Sequence, residues 1–166
     1  QQLADAITEK TKAILINTPH NPTGYVWTKD DWQQLALLIQ DRDIYVVSDE
    51  VYDSIVYDGY KHVPGFLQEG LQDKVISIYS FGKTFHITGW KVGYCVASKE
   101  ITEAFRSIHQ YLTFSVNTPA QYALAKYLEI YEREAAAKLL QNKRDLLMEG
   151  MQQSRFKMLN KSIGTY

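Results

Sequence analysis

The fold is most readily inferred from the segment Val75-Ile76-Ser77-Ile78-Tyr79-Ser80-Phe81-Gly82-Lys83. It begins with a short, mainly apolar run, and such a run bounded by polar residues predicts a buried β-strand at residues 75–79. The strand ends in a polar turn that carries a lysine. Two earlier segments of the chain repeat this arrangement of a buried strand followed by a polar turn.

The other predicted strands lie at residues 13–16, 44–47 and 92–97. The first ends in a polar, proline-rich loop at residues 17–24, and the second ends in Ser48-Asp49-Glu50. Only nine residues, 83–91, separate the third strand from the fourth. A helical crossover does not fit into so short a connection, which predicts that this pair runs antiparallel.

Helical patterns fill most of the remaining chain. Thr28 is the predicted N-cap of a helix that carries Trp32, Leu35, Ala36 and Ile39 on one face. A second helix is predicted at residues 100–112, and a long amphipathic helix at residues 120–154 follows the break at Asn117-Thr118-Pro119. Strands that alternate with helices predict an α/β fold, a mainly parallel sheet with helices on both faces.

Charge and composition favour a small-molecule partner. The 18 basic and 19 acidic residues nearly cancel, and no run of like charges indicates binding to nucleic acid or to an anionic membrane. The apolar runs are far shorter than the roughly 18 residues that a membrane span requires. Cys95 is the single cysteine, which excludes an internal disulfide and predicts a cytoplasmic protein in which Cys95 is a buried small hydrophobic residue.

Polar residues at the strand ends form the candidate site. In open parallel sheets, ligands bind outside the carboxyl ends of the strands. Asn21, Asp49 and Lys83 each follow a predicted strand. We therefore expect them to converge on one side of the sheet, although 28 residues separate the first two and 34 the last two.

Lys83 and Asp49 suit one kind of chemistry. A lysine flanked by Gly82 and Phe85 is a candidate desolvated nucleophile of the type that forms Schiff bases. An unpaired Asp49 after a buried strand would be costly, so it needs a helix N-cap role, a salt bridge with Lys91 or Arg42, or another cationic partner. The protonated pyridine nitrogen of pyridoxal 5'-phosphate (PLP) is such a partner and would link both residues in one mechanism.

Four motifs in coherent order resemble the class I and II aminotransferases, PLP-dependent enzymes of fold type I. They are Asn17-Thr18-Pro19-His20-Asn21-Pro22-Thr23-Gly24, Ser48-Asp49-Glu50-Val51-Tyr52, Ser80-Phe81-Gly82-Lys83-Thr84-Phe85 and Gly89-Trp90-Lys91-Val92-Gly93. The resemblance implies that an amino group passes from an L-amino acid to a 2-oxo acid.

The same resemblance implies roles for individual residues around the cofactor ring. Lys83 would form the Schiff base with PLP, and Asp49 would partner the pyridine nitrogen. Asn21 and Tyr52 would hydrogen-bond the phenolic oxygen of the ring, and Asn21 would also contact the substrate carboxylate. Lys83, Asp49 and Tyr52 are therefore the predicted catalytic residues.

Two further residues would hold the cofactor phosphate. The resemblance assigns this role to the hydroxyl of Ser80 and the charge of Lys91. Many members of the family have arginine at the position of Lys91, and lysine supplies the charge without the bidentate fork.

Residues 109–121 are similar to the branch that contains methionine and kynurenine aminotransferases. In the family this segment reaches the active site of the neighbouring subunit, which implies a homodimer. The segment contains no arginine, which favours a neutral, sulfur-containing or aromatic substrate over a dicarboxylic one. Tyr111 and Phe114 could instead belong to the core.

The resemblance also implies a domain division. Residues 1–155 would form part of a large PLP-binding domain that ends in the long helix, and residues 156–166 would begin a truncated small domain. Gln1 falls inside a predicted helix, and Gly164-Thr165-Tyr166 falls at the start of a new extended segment, so we expect a fragment. The carboxylate-clamping arginine and the upstream phosphate turn of the family lie outside it.

Other interpretations fit fewer residues. Ser80-Phe81-Gly82-Lys83 matches the S-x-x-K signature of penicillin-binding proteins and β-lactamases, but the accompanying S-D-N and K-T-G motifs are not matched, and their serine opens a helix rather than ending a strand. Ile78 stands where a G-x-S-x-G nucleophile elbow requires glycine. The histidines lack the spacing of a zinc site. Synthases and lyases of the same fold, and a PLP-binding sensor domain of a transcription regulator, remain open alternatives.

The 166 residues alone are predicted to bind PLP poorly and not to transaminate, because part of the family's binding site lies outside them. The measurement is amino-acid turnover by the isolated segment in the presence of PLP. Measurable turnover would contradict the prediction.

Overall fold

The structure is a computed structural model that describes residues 2–165. Gln1 and Tyr166, which enter the sequence-based expectations about the chain ends, lie outside the described residues. The strands are β1 (Ala13–Asn17), β2 (Tyr45–Asp49), β3 (Val75–Ser80) and β4 (Gly93–Val96). The helices are α1 (Gln2–Ala6), α2 (Lys29–Ile39), α3 (Phe81–Thr84), α4 (Lys99–Leu112), α5 (Thr118–Leu128) and α6 (Arg133–Met151), with short 3₁₀ helices at Gly65–Leu67 and Thr88–Trp90.

The four strands form one mixed sheet in the order β1-β2-β3-β4. Strands β1, β2 and β3 are parallel, and β4 runs antiparallel to β3. The sequence-based prediction of an antiparallel last pair is therefore confirmed. In this register Asn17 lies beside Asp49, and Asp49 lies beside Ile78. Strands β1 and β2 therefore end level with each other, and β3 continues to Ser80 at the same edge of the sheet.

Side chains alternate between the two faces of the sheet, as strand geometry requires. Ile14, Val46 and Val75 lie in register and pack in the core with residues of α2. Trp32 and Ile39 of that helix are completely buried. On the opposite face, the partly exposed side chains within residues 2–165 include Leu15, Tyr45 and Ile78.

Thr28 caps α2 as the sequence predicts. Its hydroxyl accepts a hydrogen bond from the backbone N–H of Asp31, and the Asp31 carboxylate accepts one from the backbone N–H of Thr28. This reciprocal pair is a capping box, which satisfies donors that a helix N-terminus leaves without partners. The cap fixes the start of α2 just after the loop that carries Asn21.

The prediction of a single long helix at residues 120–154 was wrong. The structure has two helices, α5 and α6, separated by residues 129–132. No proline or glycine marks the break. Tyr127 and Tyr131 both pack edge-on against Phe85, with ring centroids 5.0 and 4.6 Å away, and this shared tertiary contact coincides with the point where the helix ends.

Part of the last described segment packs back onto the rest of the chain. Val56 and Gly164 form an isolated antiparallel bridge, and the backbone N–H of Thr165 donates to the carbonyl of Ile55 at 3.0 Å. The assignment of residues 156–166 to a second domain stays a prediction. None of the helices formed by residues 2–165 combines the length and apolar character needed to cross a membrane.

Gly93 is predicted to be essential for the β3–β4 pair. A Cβ atom at this position would lie 2.5 Å from the carbonyl oxygen of Tyr79, which is backbone and cannot turn away. We expect Gly93→Ala to lower the free energy of unfolding of the full-length protein by about 1–3 kcal/mol through overpacking. Urea denaturation measures this change.

Gly89→Ala is the matched control. A Cβ atom at Gly89 meets no atom within 4 Å, so this variant should unfold at nearly the same urea concentration as the wild type. Equal stabilities for the two variants would contradict the prediction.

Candidate active site

Asn21 and Tyr52 meet where two loops leave the carboxyl ends of β1 and β2. The amide Nδ2 of Asn21 donates a hydrogen bond to the hydroxyl of Tyr52 at 3.0 Å. The Tyr52 ring is buried against Ile55 and Tyr57, whereas Asn21 is exposed. Core packing therefore fixes the position of Tyr52, and the loop after β1 supplies the Asn21 amide that bonds to it.

Lys83 lies near the ring of Tyr52. It belongs to the single turn of α3 that follows β3, and it is half-buried. Its Nζ atom lies 5.6 Å from the centroid of the Tyr52 ring, within the distance at which a cation and an aromatic face attract each other. Tyr52 thus contacts both Asn21 and Lys83.

Asp49 is a half-buried carboxylate at the end of β2. Burial raises its pKa, and a hydrogen bond from the backbone of Val51 and the charge of Lys83 oppose this effect. Its Oδ1 accepts from the N–H of Val51 at 3.4 Å. Among residues 2–165 it forms no salt bridge with Lys91 or Arg42, and residues 51–54 form turns, so it caps no helix there.

Asn17 joins these groups, and the sequence-based site assignment missed it. Its Oδ1 accepts from the backbone N–H of Asn21 at 2.8 Å, and its Nδ2 donates to the carbonyl of Asp49 at 3.0 Å. One side chain therefore ties the loop after β1 to the end of β2. The signal was present as the first residue of the proline-rich motif.

Ser80 and Lys91 are brought near each other by the backbone. Ser80 lies opposite Gly93 in the β3–β4 register, and the N–H of Phe81 donates to the carbonyl of Val92 at 3.2 Å. Ser80 is half-buried and Lys91 is exposed, with a left-handed φ of 54°. Their assignment to a phosphate stays a prediction.

Ser80 also corrects one sequence-based argument. It is both the last residue of β3 and the N-cap position of α3. The position of the serine therefore does not distinguish this segment from the S-x-x-K motif of penicillin-binding proteins and β-lactamases. The absence of matches to their S-D-N and K-T-G motifs does distinguish it.

Glu50 stabilises the carboxyl end of β2, and the sequence analysis assigned it no role. Its side chain is completely buried. It accepts hydrogen bonds from the hydroxyls of Ser77 and Tyr79 at 2.7 and 2.8 Å and from the N–H of Gly65 at 3.1 Å, and it contacts His62 Nε2 at 2.5 Å. Glu50 directly follows Asp49, the last residue of β2, so these hydrogen bonds fix the backbone next to Asp49.

The charge of Glu50 is well compensated. Burial raises its pKa, but hydrogen bonds from His62, Ser77 and Tyr79 outweigh burial and hold the pKa below its usual range. The stabilisation that Glu50 supplies is therefore present at neutral pH, and it is lost as the pH falls from the ordinary glutamate pKa through the lowered one.

A cavity of about 630 Å³ lies elsewhere, and none of the predicted site residues lines it. Its walls include His62, Tyr79 and Tyr94, together with Asp53 and Arg133. The last two already form an ion pair at 2.7 Å. The cavity is therefore distinct from the site that the sequence predicts.

Three residues from the sequence analysis lie outside these contacts. Tyr111 and Phe114 are 83% and 85% exposed, so they do not belong to a core formed by residues 2–165. Cys95 is only partly buried, and the prediction of a fully buried cysteine was wrong because β4 has one sheet neighbour among these residues.

Comparison with known proteins decides the family. The family model described as Aminotransferase class I and II matches residues 1–166. The chain belongs to this family. The sequence-based resemblance and the predicted fold type are confirmed.

Individual relatives are closely similar over this region. Methionine aminotransferase of Escherichia coli (strain K12) is 42% identical over 168 residues, which cover all of this chain and 43% of that protein. Kynurenine–oxoglutarate transaminase of Dictyostelium discoideum is 42% identical over 161 residues, covering 93% of this chain and 37% of that protein.

The similarity extends to three dimensions. A crystal structure from Escherichia coli, described as identifying a methionine aminotransferase function, superposes with a TM-score of 0.93 at 43% identity and covers 100% of this chain and 44% of its own. The chain therefore spans less than half the length of the relatives that it matches.

Removal of the Glu50 carboxylate is predicted to destabilise the fold. In Glu50→Ala, the buried groups of His62, Ser77 and Tyr79 lose their shared acceptor. We expect a loss of about 3 kcal/mol or more in the free energy of unfolding at neutral pH, because each buried polar group left without a partner costs about 1–3 kcal/mol. Chemical denaturation of the full-length protein gives the value.

Glu129→Ala serves as the control, because Glu129 forms an exposed pair with Lys126 and exposed pairs contribute little. The interpretation of Glu50 as an anchor fails if the two variants unfold alike.

Proposed function

We propose that the full-length protein is a PLP-dependent aminotransferase. It moves an amino group from a neutral L-amino acid, methionine or another neutral or aromatic one, to a 2-oxo acid. The main support is the position of Tyr52 at the carboxyl ends of the strands, where it contacts both Asn21 and Lys83. The nearby Asp49 carboxylate has no salt-bridge partner among the described residues.

The residues present fit the cofactor. When bound, PLP supplies an aldehyde that condenses with amines and a protonated pyridine ring that withdraws electrons from the substrate α-carbon. Among residues 2–165 Asp49 forms no ion pair, so its carboxylate is available to a pyridinium nitrogen. The positive charge of that nitrogen would counteract burial, which raises the pKa of Asp49. The amide of Asn21 and the hydroxyl of Tyr52 are hydrogen-bond donors suited to a phenolate oxygen.

Each side chain has a distinct task in this proposal. Asp49 accepts a hydrogen bond from the ring nitrogen and so keeps the proton on that atom. Lys83 is the attachment point, and its amine then carries the proton that leaves the substrate Cα as general base and acid. Ser80 and Lys91 bind the phosphate with a hydroxyl and a positive charge.

The substrate class is inferred from two features. The methionine and kynurenine enzymes are among the chain's close relatives, and residues 109–121 contain no arginine that would pair with a second carboxylate. We also propose a homodimer, in which the exposed Tyr111 and Phe114 reach the neighbouring subunit, and a location in the cytoplasm, which suits a chain whose single cysteine is free.

The proposal predicts a change in the absorption of the PLP-loaded full-length protein on addition of substrate. Methionine or kynurenine should bleach the band of the protein-bound cofactor, and aspartate should do so more weakly. Lys83→Ala should abolish the bleaching and lower turnover at least about a thousandfold, because both the attachment point and the proton carrier are lost.

Lys99→Ala, which alters an exposed lysine on α4, should behave as the wild type. Full turnover by Lys83→Ala would sink the proposal. Cofactor binding without any turnover by the wild type would favour the sensor domain instead.

A further inference from the structure

Residues 160–165 connect the two loops that carry Asn21 and Tyr52. On one side, Asn160 Nδ2 donates to the carbonyl of Thr23 at 2.9 Å and the N–H of Ile163 donates to the carbonyl of Gly24 at 3.2 Å. On the other side, the N–H of Tyr57 donates to the carbonyl of Ile163 at 2.9 Å. The segment thus bridges the loop after β1 and the turns after β2.

The fit between this segment and the loop is tight. A Cβ atom on Gly24 would lie 1.9 Å from Ser162 Oγ, and Gly24 has a positive φ of 71°. A Cβ atom on Gly164 would lie 2.9 Å from Pro19 Cβ and 2.8 Å from a methyl group of Val26. Two glycines are therefore needed for the close approach, and the loop has little room to move while the segment is in place.

Arg144 of α6 fixes the segment. Its guanidinium forms two parallel hydrogen bonds with the Asp58 carboxylate, at 2.9 and 2.7 Å, and donates to the carbonyl of Ser162 at 2.6 Å. It also lies 4.9 Å from the centroid of the buried Tyr57 ring. Hydrogen bonds from Arg144 and Lys161 lower the pKa of Asp58 to about 2, so the pair stays ionised at neutral pH.

We propose that Arg144 is a positioning residue for cofactor binding. By pairing with Asp58 and the Ser162 carbonyl, it presses residues 160–165 against the loop at 20–24. That loop then keeps the Asn21 amide within hydrogen-bond distance of Tyr52. The inference rests on the proposed function, because it assumes that Asn21 and Tyr52 bind the phenolic oxygen of PLP.

The route from Arg144 to Asn21 is local. The core that contains Trp32, Leu35 and Ile39 receives Trp27 from the end of the loop, whereas residues 160–165 hydrogen-bond the loop at Thr23 and Gly24. Loss of the bidentate pair should therefore loosen the loop at 20–24 while α2 stays as protected as before. A residue that only stabilises the whole fold would affect both regions.

Hydrogen exchange measured by mass spectrometry on the full-length protein without PLP tests the first step. In Arg144→Lys the charge remains but the bidentate fork is lost. We expect at least about tenfold faster exchange in peptides covering residues 18–27, the size of effect that follows from losing a hydrogen bond to a charged group. In the same variant, peptides of α2 should exchange as in the wild type. The control is Arg106→Lys, which alters an exposed arginine of α4, and all of its peptides should exchange as in the wild type.

Titration of the same proteins with PLP tests the second step. Arg144→Lys should raise the dissociation constant for PLP at least about tenfold relative to the wild type and to Arg106→Lys. Asn160→Ala removes only the contact with Thr23 and leaves Arg144 intact, so it should cause a smaller change in the same direction in both measurements. This variant decides the matter if Arg144→Lys does not fold.

Unchanged exchange at residues 18–27, or equally faster exchange in α2, would overturn the inference. Faster local exchange with wild-type affinity for PLP would overturn the link to the cofactor. The wild-type titration separates these results from a failure of the proposed function, since that failure appears as absence of PLP binding in the wild type itself.

Discussion

The parallel pairing of β1, β2 and β3 determines where the candidate site residues lie. Because the three strands are parallel and Asn17 pairs with Asp49, the segments that leave β1, β2 and β3 all begin at the carboxyl edge of the sheet, the last of them after Ser80. Asn21, Tyr52 and Lys83, which are far apart in sequence, are thereby placed next to one another. Tyr52 then completes the arrangement, since its buried ring contacts Lys83 while its hydroxyl accepts from Asn21.

Neighbouring acidic residues at the end of β2 have opposite surroundings. Glu50 points into the core and has its hydrogen-bonding capacity well used, so it stabilises the strand end. Asp49 is the half-buried last residue of β2. Burial raises its pKa, and it forms no salt bridge among the described residues. Burying the Asp49 carboxylate without a cation costs free energy, and the well-bonded Glu50 beside it stabilises the strand end. Such a local cost, offset by the surrounding structure, is typical of a binding site.

Much of this arrangement could be predicted from sequence because it follows local rules. Apolar runs gave the strands, Thr28 gave the start of α2, and a short connection gave the antiparallel pair. Long-range contacts were not predictable in this way. The break between α5 and α6 coincides with the packing of two tyrosines on Phe85, and the role of Asn17 depends on a hydrogen bond to a neighbouring strand. Such contacts exist only once the strands are placed in register.

The proposed function requires the amine of Lys83 to hold the cofactor, with Asp49 as the partner of its ring nitrogen. Borohydride reduction of the PLP-loaded full-length protein, followed by peptide mapping by mass spectrometry, tests this directly, because reduction makes the link between cofactor and lysine permanent. The account predicts a single modified peptide with the cofactor mass on Lys83. Modification of a different lysine, such as Lys91, or of none, would contradict it.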